Sequence, residues 1–520
     1  MTEKTWTLFK VELINSFNIN HLSLKEKSNP GAKITFVGIC LISLVLLGYN
    51  YLTANTLYQL GETSLIPTYM ISVSSIVMLF ITLLRANGTI FGSKDFQSLS
   101  SLPINDREII VSKLLYLYTF SLVLSLLFVI PGNLIWIIHA KPTVLMVVSN
   151  FLVVILNPLI PVCLSAFLGI FIYQMTSKLK NPNLIAVLLS LLLFGGVFSY
   201  IMIHSNNAMD IHNIGSVLYE QLNYLYVPSL LAIYSTEGFS ILNHMIYIFI
   251  AIALLFVFIH YAHKNYRIIN FRLLASTGNT SKQTSIQVNT PLVSLYKNEM
   301  IRLFNSYTYL LNTTLGSIVL LVFSMVFLVF GTKLFTDTMG LPFSISQIQS
   351  LYPLVIAAMI AISTPASCAL SMEGHKIWVL KSLPIPTKTI VNAKLFCSFS
   401  IHFPMIGLSL LAYILHFSPS LNETILCFLV PFAYSIFVCT FGLFVNFLFP
   451  KFDWSNETYV VKQSPSVMIN GLIGMVTIIV PIQLTLFNII PVIPTLYSMI
   501  ILLLLISVIL YKKMALRNLP

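Results

Sequence analysis

Carboxylates and histidines are the side chains of this sequence that could bind a proton or coordinate a cation. All sixteen acidic residues lie outside the long apolar runs of the chain. Proton and coupling-ion sites inside membrane helices usually need a carboxylate, so this placement weighs against a proton-driven carrier. Sodium held by carbonyl and hydroxyl oxygens remains open. His244 and His402 lie inside apolar runs, where isolated histidines are more often hydrogen-bonded packing residues than proton relays.

Two further kinds of site find little support in the residue spacing. His204, Asp210 and His212 match no zinc motif. A membrane-embedded enzyme would have to use Asp210 and His212 with Glu220 and Glu237. The sequence contains no Gly-Lys dipeptide and therefore no P-loop for ATP. If the chain drives transport against a gradient, we expect the energy to come from a separate ATPase subunit.

The composition predicts a polytopic membrane protein. Hydrophobic residues make up 57% of the 520 residues, charged residues only 8%, and the mean hydropathy is +0.89. A hydrocarbon core of roughly 30 Å needs about 20 apolar residues per helix. Twelve runs meet that need, at 34–54, 67–84, 114–138, 144–174, 184–203, 241–260, 311–332, 349–371, 395–416, 424–449, 466–488 and 496–511. The predicted fold class is therefore all-α, with about 12 transmembrane helices.

The basic residues predict the orientation of the chain. With both termini in the cytoplasm, only Lys141 and Lys333 of the 28 Lys and Arg residues fall on the outside. Lys and Arg in short loops are held on the cytoplasmic side. Orientation thus explains the net charge of +12 better than nucleic-acid binding does, and we expect no nucleic-acid partner. A basic inner face also attracts the headgroups of membrane lipids.

A short phrase occurs twice in matching surroundings. Ser101–Ile104 and Ser382–Ile385 both read Ser-Leu-Pro-Ile, at an offset of 281 residues. Lys113 and Lys394 follow at the same distance, each before a leucine. Both copies lie between the second and third apolar runs of their half. The chain therefore reads as a tandem duplication of one six-span unit.

Each repeat begins with an amphipathic stretch that predicts a helix lying in the membrane interface. Phe9–Glu12 in the first stretch corresponds to Tyr296–Glu299 in the second, at an offset of 287 residues. The predicted division is a first repeat at 1–274, a polar cytoplasmic linker at 275–291 and a second repeat at 292–520. An even number of spans gives two parallel repeats, with a pseudo-twofold axis along the membrane normal.

The two inside loops after the second spans are candidate contacts for a soluble partner. Each combines aromatic and aliphatic residues with a proline stop, which predicts a short helix along the membrane surface. We expect Phe96 and Trp378 to project into a groove of the partner. The alternative is an aromatic anchor at the headgroup level. The candidate residues are Lys94, Asp95, Phe96, Leu99, Leu102 and Pro103 in the first loop and Glu373, Gly374, Lys376, Trp378, Leu380, Leu383 and Pro384 in the second.

This arrangement resembles the permease subunits of ABC exporters of the ABC-2 type. Their six-span unit starts with an amphipathic helix and has a coupling helix between spans two and three, then a Leu-Pro turn and a lysine that opens span three. The second loop matches with Glu373–Leu380, Leu383–Pro384 and Lys394. The first has the Leu-Pro turn and Lys113 but lacks the Glu-Gly opening at Gly92–Asp95.

A narrower resemblance covers Asn446–Gln463, which is similar to a signature of large fused permeases of Gram-positive bacteria. These proteins carry both halves in one chain, and the family places a second cytoplasmic contact in this loop. The alternative is an interfacial anchor made by Phe452 and Trp454. The candidate residues are Lys178 and Lys180 in the first half and Phe452, Asp453, Trp454, Glu457 and Lys462 in the second.

The resemblance implies a permease subunit and not an enzyme. Two copies of a cytoplasmic ABC ATPase would bind ATP and Mg, while this chain binds no cofactor. Transport would follow alternating access between the repeats, in the plasma membrane of a Gram-positive bacterium. The apolar, charge-poor interior favours a hydrophobic or amphipathic cargo such as a lipid, a drug or an antimicrobial peptide. The alternative is a partner-independent ion-coupled carrier or lipid scramblase.

Overall fold

Helices form all the regular structure in the part of the chain that the structure describes. The structure is a computed structural model. It describes residues 2–17, 30–90, 96–176, 179, 182–204, 241–278, 289–332, 345–454, 457, 459–486, 491–517 and 519. The chain divides into unit 1, which contains Met1–Ile14 and Val37–Lys282, and unit 2, which contains Asn15–Phe36 and Gln283–Pro520.

Unit 1 contains long apolar helices and one short loop helix. Its helices are α1 (Glu3–Phe17), α2 (Pro30–Gln59), α3 (Ile66–Thr89), α4 (Phe96–Ser100), α5 (Asp106–Ala140), α6 (Val144–Leu156), α7 (Leu159–Thr176), α8 (Pro182–His204) and α9 (Ile241–Gly278). The last three residues of α1 and the first seven of α2 belong to the segment assigned to unit 2. One buried apolar group joins Phe9 of α1 and Phe96 of α4 to α5, α7 and α9. A second group around Trp136 and Tyr247 joins α2, α3, α5, α6, α7 and α9.

The predicted fourth span, 144–174, is broken between α6 and α7. Pro158 lies in the break and lacks the N–H that a continuous helix would use. The side chain of Asn157 fills the gap with polar contacts. Its Oδ1 accepts hydrogen bonds from Ser75 Oγ at 2.7 Å and Tyr247 Oη at 2.6 Å, and its Nδ2 donates to Ser74 Oγ at 3.3 Å. The break is therefore tied to α3 and α9.

Unit 2 repeats the order of a leading helix, long helices and a short loop helix. Its helices are α10 (Pro291–Asn305), α11 (Tyr307–Phe330), α12 (Ile345–Ile362), α13 (Ile377–Ser382), α14 (Thr387–Phe417), α15 (Leu421–Leu448), α16 (Pro465–Leu486) and α17 (Val492–Ala515). Short 3-10 helices lie at Pro365–Ser367 and Ser371–Lys376, and a π-helix lies at Tyr459–Gln463.

The predicted eighth span, 349–371, is too long. Helix α12 ends at Ile362, after which the backbone N–H of Thr364 donates to the carbonyl of Thr313 on α11 at 2.8 Å. Pro365 follows and cannot supply a helical N–H. The chain therefore continues as 3-10 turns beside the N-terminal part of α11. These turns position the second inside loop.

The other predicted spans agree with the helices. Within the described residues, ten helical segments are long and apolar enough to cross a membrane. The first predicted span, 34–54, lies in α2, and the fifth, 184–203, lies in α8. The short helices predicted in the two inside loops are present as α4 and α13.

Candidate functional site

One face of the loop helix α13 packs against the rest of unit 2, and the opposite face lies at the protein surface. Ile377 and Leu380, three residues apart, are each only 9% exposed and belong to a buried apolar group that includes Phe447. Trp378 between them is 66% exposed. Lys376 is also exposed. The helix is therefore seated by its aliphatic residues and carries an outward indole.

The end of α13 follows from the predicted Leu-Pro turn. Leu383 has an extended backbone, with φ −79° and ψ 138°. A residue before proline is pushed out of the helical region by the proline ring. Leu383 and Pro384 are both exposed, so the turn lies on the same surface as Trp378.

Gly374 forms the sharp turn that leads into α13. Its φ of +56° lies in a region that favours glycine. A Cβ at this position would be 3.3 Å from ring atoms of Trp454. The Trp454 indole N–H also donates to the carbonyl of Ser371 at 2.8 Å. The indole thus covers the turn and joins the second predicted contact segment to the first.

Asn446 at the end of α15 stabilises the same turn through side-chain hydrogen bonds. Its Oδ1 accepts hydrogen bonds from the backbone N–H of Leu370 at 2.9 Å and of Ser371 at 3.1 Å. Its Nδ2 donates to Ser371 Oγ at 2.7 Å, and the same hydroxyl accepts from the Lys451 backbone N–H at 3.0 Å. The two loops, predicted as separate contacts, therefore form one platform around Ser371.

A charged cluster lies beneath the platform and comprises Glu299, Arg302, Glu373 and Lys394. Lys394 Nζ donates to Glu299 Oε2 at 2.9 Å, Glu373 Oε1 at 2.8 Å and the Ala369 carbonyl at 2.8 Å. Arg302 donates to both oxygens of Glu373 at 2.7 and 2.6 Å, and to Glu299 Oε2 at 3.0 Å. The cluster joins α10, the 3-10 turn and α14.

The electrostatics of the charged cluster are balanced. It contains two carboxylates and two cations, and the side chains of Glu299 and Lys394 are each only 4% exposed. Lys394 uses all three of its N–H donors, as a buried ammonium group requires. Burial opposes the charge of Arg302, but Glu299 and Glu373 raise its pKa above the ordinary value. Removing one member would leave an uncompensated buried charge.

The first loop is held by aromatic packing. Phe96 is only 2% exposed. The centroid of its ring lies 5.7 Å from that of Tyr266 and 5.3 Å from that of Phe271, and both contacts are edge-to-face. Leu99 is half-buried. Both aromatic partners lie on the part of α9 beyond the predicted sixth span, 241–260.

The N-terminal segment, Thr2 with helix α1, stabilises the turn that follows α4 through two hydrogen bonds. Lys4 Nζ donates to the carbonyl of Pro103 at 2.8 Å, and Thr2 Oγ1 donates to Glu108 Oε1 at 2.7 Å. Leu102 and Pro103 themselves are exposed. The Leu-Pro turn is thus accessible in unit 1 as it is in unit 2.

Four predicted contact residues need correction. Leu380 is buried in the apolar group that seats α13, and Gly374 is buried beside Trp454, so neither can contact a partner directly.

Phe96 and Glu373 also differ from their predicted roles. Phe96 does not project as Trp378 does, because the aromatic residues of α9 enclose it. Glu373 is not a surface contact, because its carboxylate is only 8% exposed and is bound by Arg302 and Lys394. Both side chains stabilise their loops from buried positions.

The remaining predicted residues have varied surroundings. Phe452 is half-buried beside the apolar group of α13. Asp453 is 87% exposed and lies 3.5 Å from His375, measured between Oδ1 and Nδ1. Glu457 accepts a hydrogen bond from the Ser306 hydroxyl, and Lys462 lies half-buried in the π-helix. Four residues lie outside the described part of the chain: Lys94, Asp95, Lys178 and Lys180.

The family comparison decides the class of protein. The sequence model of a family described as "Membrane protein of 12 TMs" matches residues 29–513. The chain belongs to this family. The match extends through both units and confirms the predicted multi-pass fold with 12 membrane spans. Comparison with curated proteins found no match, and comparison with solved structures found none.

In this 12-TM membrane protein the buried histidine His402 is a hydrogen-bonded packing residue. Its Nδ1 lies 2.9 Å from Ser435 Oγ and its Nε2 lies 3.0 Å from Ser363 Oγ. Ser317 Oγ donates to Ser363 Oγ at 2.8 Å, which extends the chain of contacts to α11. Within the described ranges, no group of three His, Cys, Asp or Glu residues could hold a metal ion.

Sequence reasoning missed Arg302 as a member of the site. Its signal was its position three residues after Glu299 on the amphipathic helix α10, since residues so spaced share a helix face. Trp454 was predicted as a contact residue, but its packing on Gly374 was not foreseen. That contact joins residues 80 positions apart in the sequence, and no local pattern reports it.

Proposed function

We propose that the chain is the permease subunit of an ATP-driven ABC exporter. It moves a hydrophobic or amphipathic substrate, such as a lipid, a drug or an antimicrobial peptide, by alternating access between its two repeats. Two copies of a cytoplasmic ABC ATPase bind ATP and Mg and supply the energy, so the chain itself is not an enzyme. It lies in the plasma membrane of a Gram-positive bacterium with both termini in the cytoplasm.

The observation that carries the proposal is the braced helix α13. Its exposed Trp378 stands on a platform that the charged cluster connects to α10 and α14. A partner that binds Trp378 and moves would displace this platform as a body, because its buried ion pairs resist separation. Force applied at the loop would then reach α14, which is long and apolar enough to span the membrane.

The internal duplication supports a partner that acts twice. The Ser-Leu-Pro-Ile phrase and the following lysine occur in both repeats. In each unit the Leu-Pro turn is exposed next to a short helix. A dimeric ATPase would therefore meet two related, though not identical, docking loops.

Reconstitution with a cytoplasmic ABC ATPase from the same organism tests the proposal. We expect the chain and that ATPase to copurify, and ATP hydrolysis in proteoliposomes to depend on the permease. The variant Trp378→Ala should lower this coupled hydrolysis at least about tenfold, as expected when a central interface tryptophan is removed. The matched control is Trp6→Ala, which removes another exposed tryptophan, 55% exposed in unit 1.

Two results would contradict the proposal. One is equal coupled hydrolysis by the Trp378→Ala and Trp6→Ala proteins. The other is substrate movement by the purified chain alone in liposomes without ATP. That second result would instead favour the partner-independent carrier or scramblase.

A further inference from the structure

An apolar groove runs along one side of unit 2. It encloses about 530 Å³ and is lined by α14, α15 and α17. Phe396, Phe399 and Phe403 follow one another along α14, and Leu504 and Val508 line the facing side on α17. Sites for small organic ligands typically have volumes of about 300–1,000 Å³ and mainly apolar walls. The groove has the size and lining of a ligand site.

The groove opens at the surface of helices that can span a membrane. Phe396 is 48% exposed, Phe403 is 57% exposed and Val508 is 52% exposed. Ile406 and Leu395, deeper in the groove, are buried. A ligand can therefore enter sideways from the hydrocarbon layer without crossing water.

The length of the groove fits one acyl chain of a membrane lipid. Its lining on α14 extends from Asn392 to Ile406, which is about 21 Å at 1.5 Å per residue. One leaflet contributes about half of the roughly 30 Å hydrocarbon core. An extended acyl chain of one leaflet can therefore lie along the groove.

One end of the groove is polar and leads to exposed lysines. Tyr511 Oη donates to Asn392 Oδ1 at 2.8 Å at this end. Lys388 precedes Asn392 by four residues on α14, and Lys512 follows Val508 by four residues on α17. Residues four apart share a helix face, so both exposed lysines extend the faces that line the groove. Such lysines attract anionic headgroups.

We propose that this groove binds an anionic phospholipid. The acyl chain lies against the phenylalanines of α14, and the headgroup phosphate meets Lys388 and Lys512. Bound lipid links α14 to α17 and stabilises the position of α14, the helix that also carries Lys394 of the charged cluster. This site does not depend on the proposed ATPase partner.

Photolabelling of the full chain in vesicles tests the site. The probe is phosphatidylglycerol with a diazirine on its acyl chain, and mass spectrometry locates the labelled peptides. We expect labels concentrated on the groove segments of α14 and α17. Unlabelled phosphatidylglycerol should compete at least about fivefold better than phosphatidylcholine, the preference that one headgroup contact with a lysine supplies.

Matched variants separate the groove from general lipid contact. Val508→Trp fills the groove mouth and should lower labelling at least fivefold, whereas Leu505→Trp changes an equally exposed residue of α17 outside the groove and should not. Lys388→Gln with Lys512→Gln should remove the preference for phosphatidylglycerol but keep labelling. Lys10→Gln with Lys264→Gln, exposed lysines of unit 1, should keep both.

Three outcomes would overturn the proposal. The first is labelling spread evenly over all exposed spans, which indicates general lipid contact only. The second is equal competition by phosphatidylcholine, which removes the headgroup site. The third is a second copy of the chain covering the groove, detected as crosslinks between copies at position 508.

Discussion

The two inside loops share a sequence frame but differ in where their aromatic residue lies. Both have the Ser-Leu-Pro-Ile phrase, a short helix and a buried lysine at the start of the following long helix, Lys113 or Lys394. In unit 1 an aromatic side chain, Phe96, holds the helix from inside. In unit 2 the charged cluster and Trp454 stabilise the loop, and the side chain of the aromatic residue Trp378 is exposed at the protein surface.

The positions of the two aromatic residues on their loop helices account for the difference. At the offset of 281 residues, Phe96 corresponds to Ile377, which is also buried, whereas Trp378 corresponds to Gln97. Helix α9 has 38 residues and continues to Gly278, so Tyr266 and Phe271 reach Phe96. The duplicated frame therefore sets both where the loop helix ends and which of its positions are buried, while the residue types at those positions differ between the units.

The largest effect should come from opening the charged cluster. Lys394→Met leaves Glu299 and Glu373 with one cation, and we expect a loss of about 4 kcal/mol of stability, the usual cost of breaking a buried ion pair. The measurement is thermal unfolding of the purified chain. Lys297→Met, an exposed lysine of α10, should change stability little. Equal unfolding of the two variants would show that the cluster does not hold unit 2.

The second prediction compares the two aromatic residues directly. Phe96→Ala should lower stability by about 3 kcal/mol, because it leaves a cavity beside Tyr266 and Phe271. Trp378→Ala should change stability by less than about 0.5 kcal/mol, since its side chain is exposed. Chemical denaturation monitored by fluorescence measures both. The reverse order of effects would remove the proposed difference between the loops.

The third prediction concerns the turn that Gly374 forms in unit 2. Gly374→Ala should cost about 2 kcal/mol, because φ +56° with ψ −141° strains any residue that has a Cβ. Gly407→Ala is the control, since a Cβ there meets nothing within 4 Å inside a helix. That control should be neutral or slightly stabilising. Equal unfolding midpoints for both variants would argue against the strained turn.

The smallest effect should come from an exposed ion pair of unit 1, Arg267 with Asp106. Arg267 Nε lies 2.8 Å from Asp106 Oδ2, and the arginine side chain is 60% exposed. Arg267→Gln should therefore cost less than about 1 kcal/mol, and the loss should shrink further in high salt. Thermal unfolding at two salt concentrations measures it. A loss as large as that of Lys394→Met would contradict the contrast between the units.

Much of the fold could be predicted from local sequence patterns. Apolar runs located the spans, and the Leu-Pro turns predicted the ends of α4 and α13. These features depend on a few neighbouring residues, such as the restriction that Pro384 places on Leu383. The shortened α12 was missed because its end depends on a hydrogen bond from Thr364 to Thr313 on another helix.

The candidate site was harder to predict than the spans. Glu299 and Lys394 were located through the duplication, but their pairing with Glu373 and Arg302 is a long-range contact. The burial of Phe96 depends on where α9 passes. Aromatic residues beside a proline turn look alike in sequence whether a neighbouring helix covers them or not.

The central claim is that unit 2 presents Trp378 to an ATPase while unit 1 keeps Phe96 inside. Photocrosslinking tests it most directly, with p-benzoylphenylalanine placed at position 378, 96 or 6 in cells that express the ABC ATPase that copurifies with the chain. We predict a crosslinked permease–ATPase product from position 378 and none from positions 96 and 6. Equal products from 96 and 378, or none from 378 in a complex that still hydrolyses ATP, would contradict the claim.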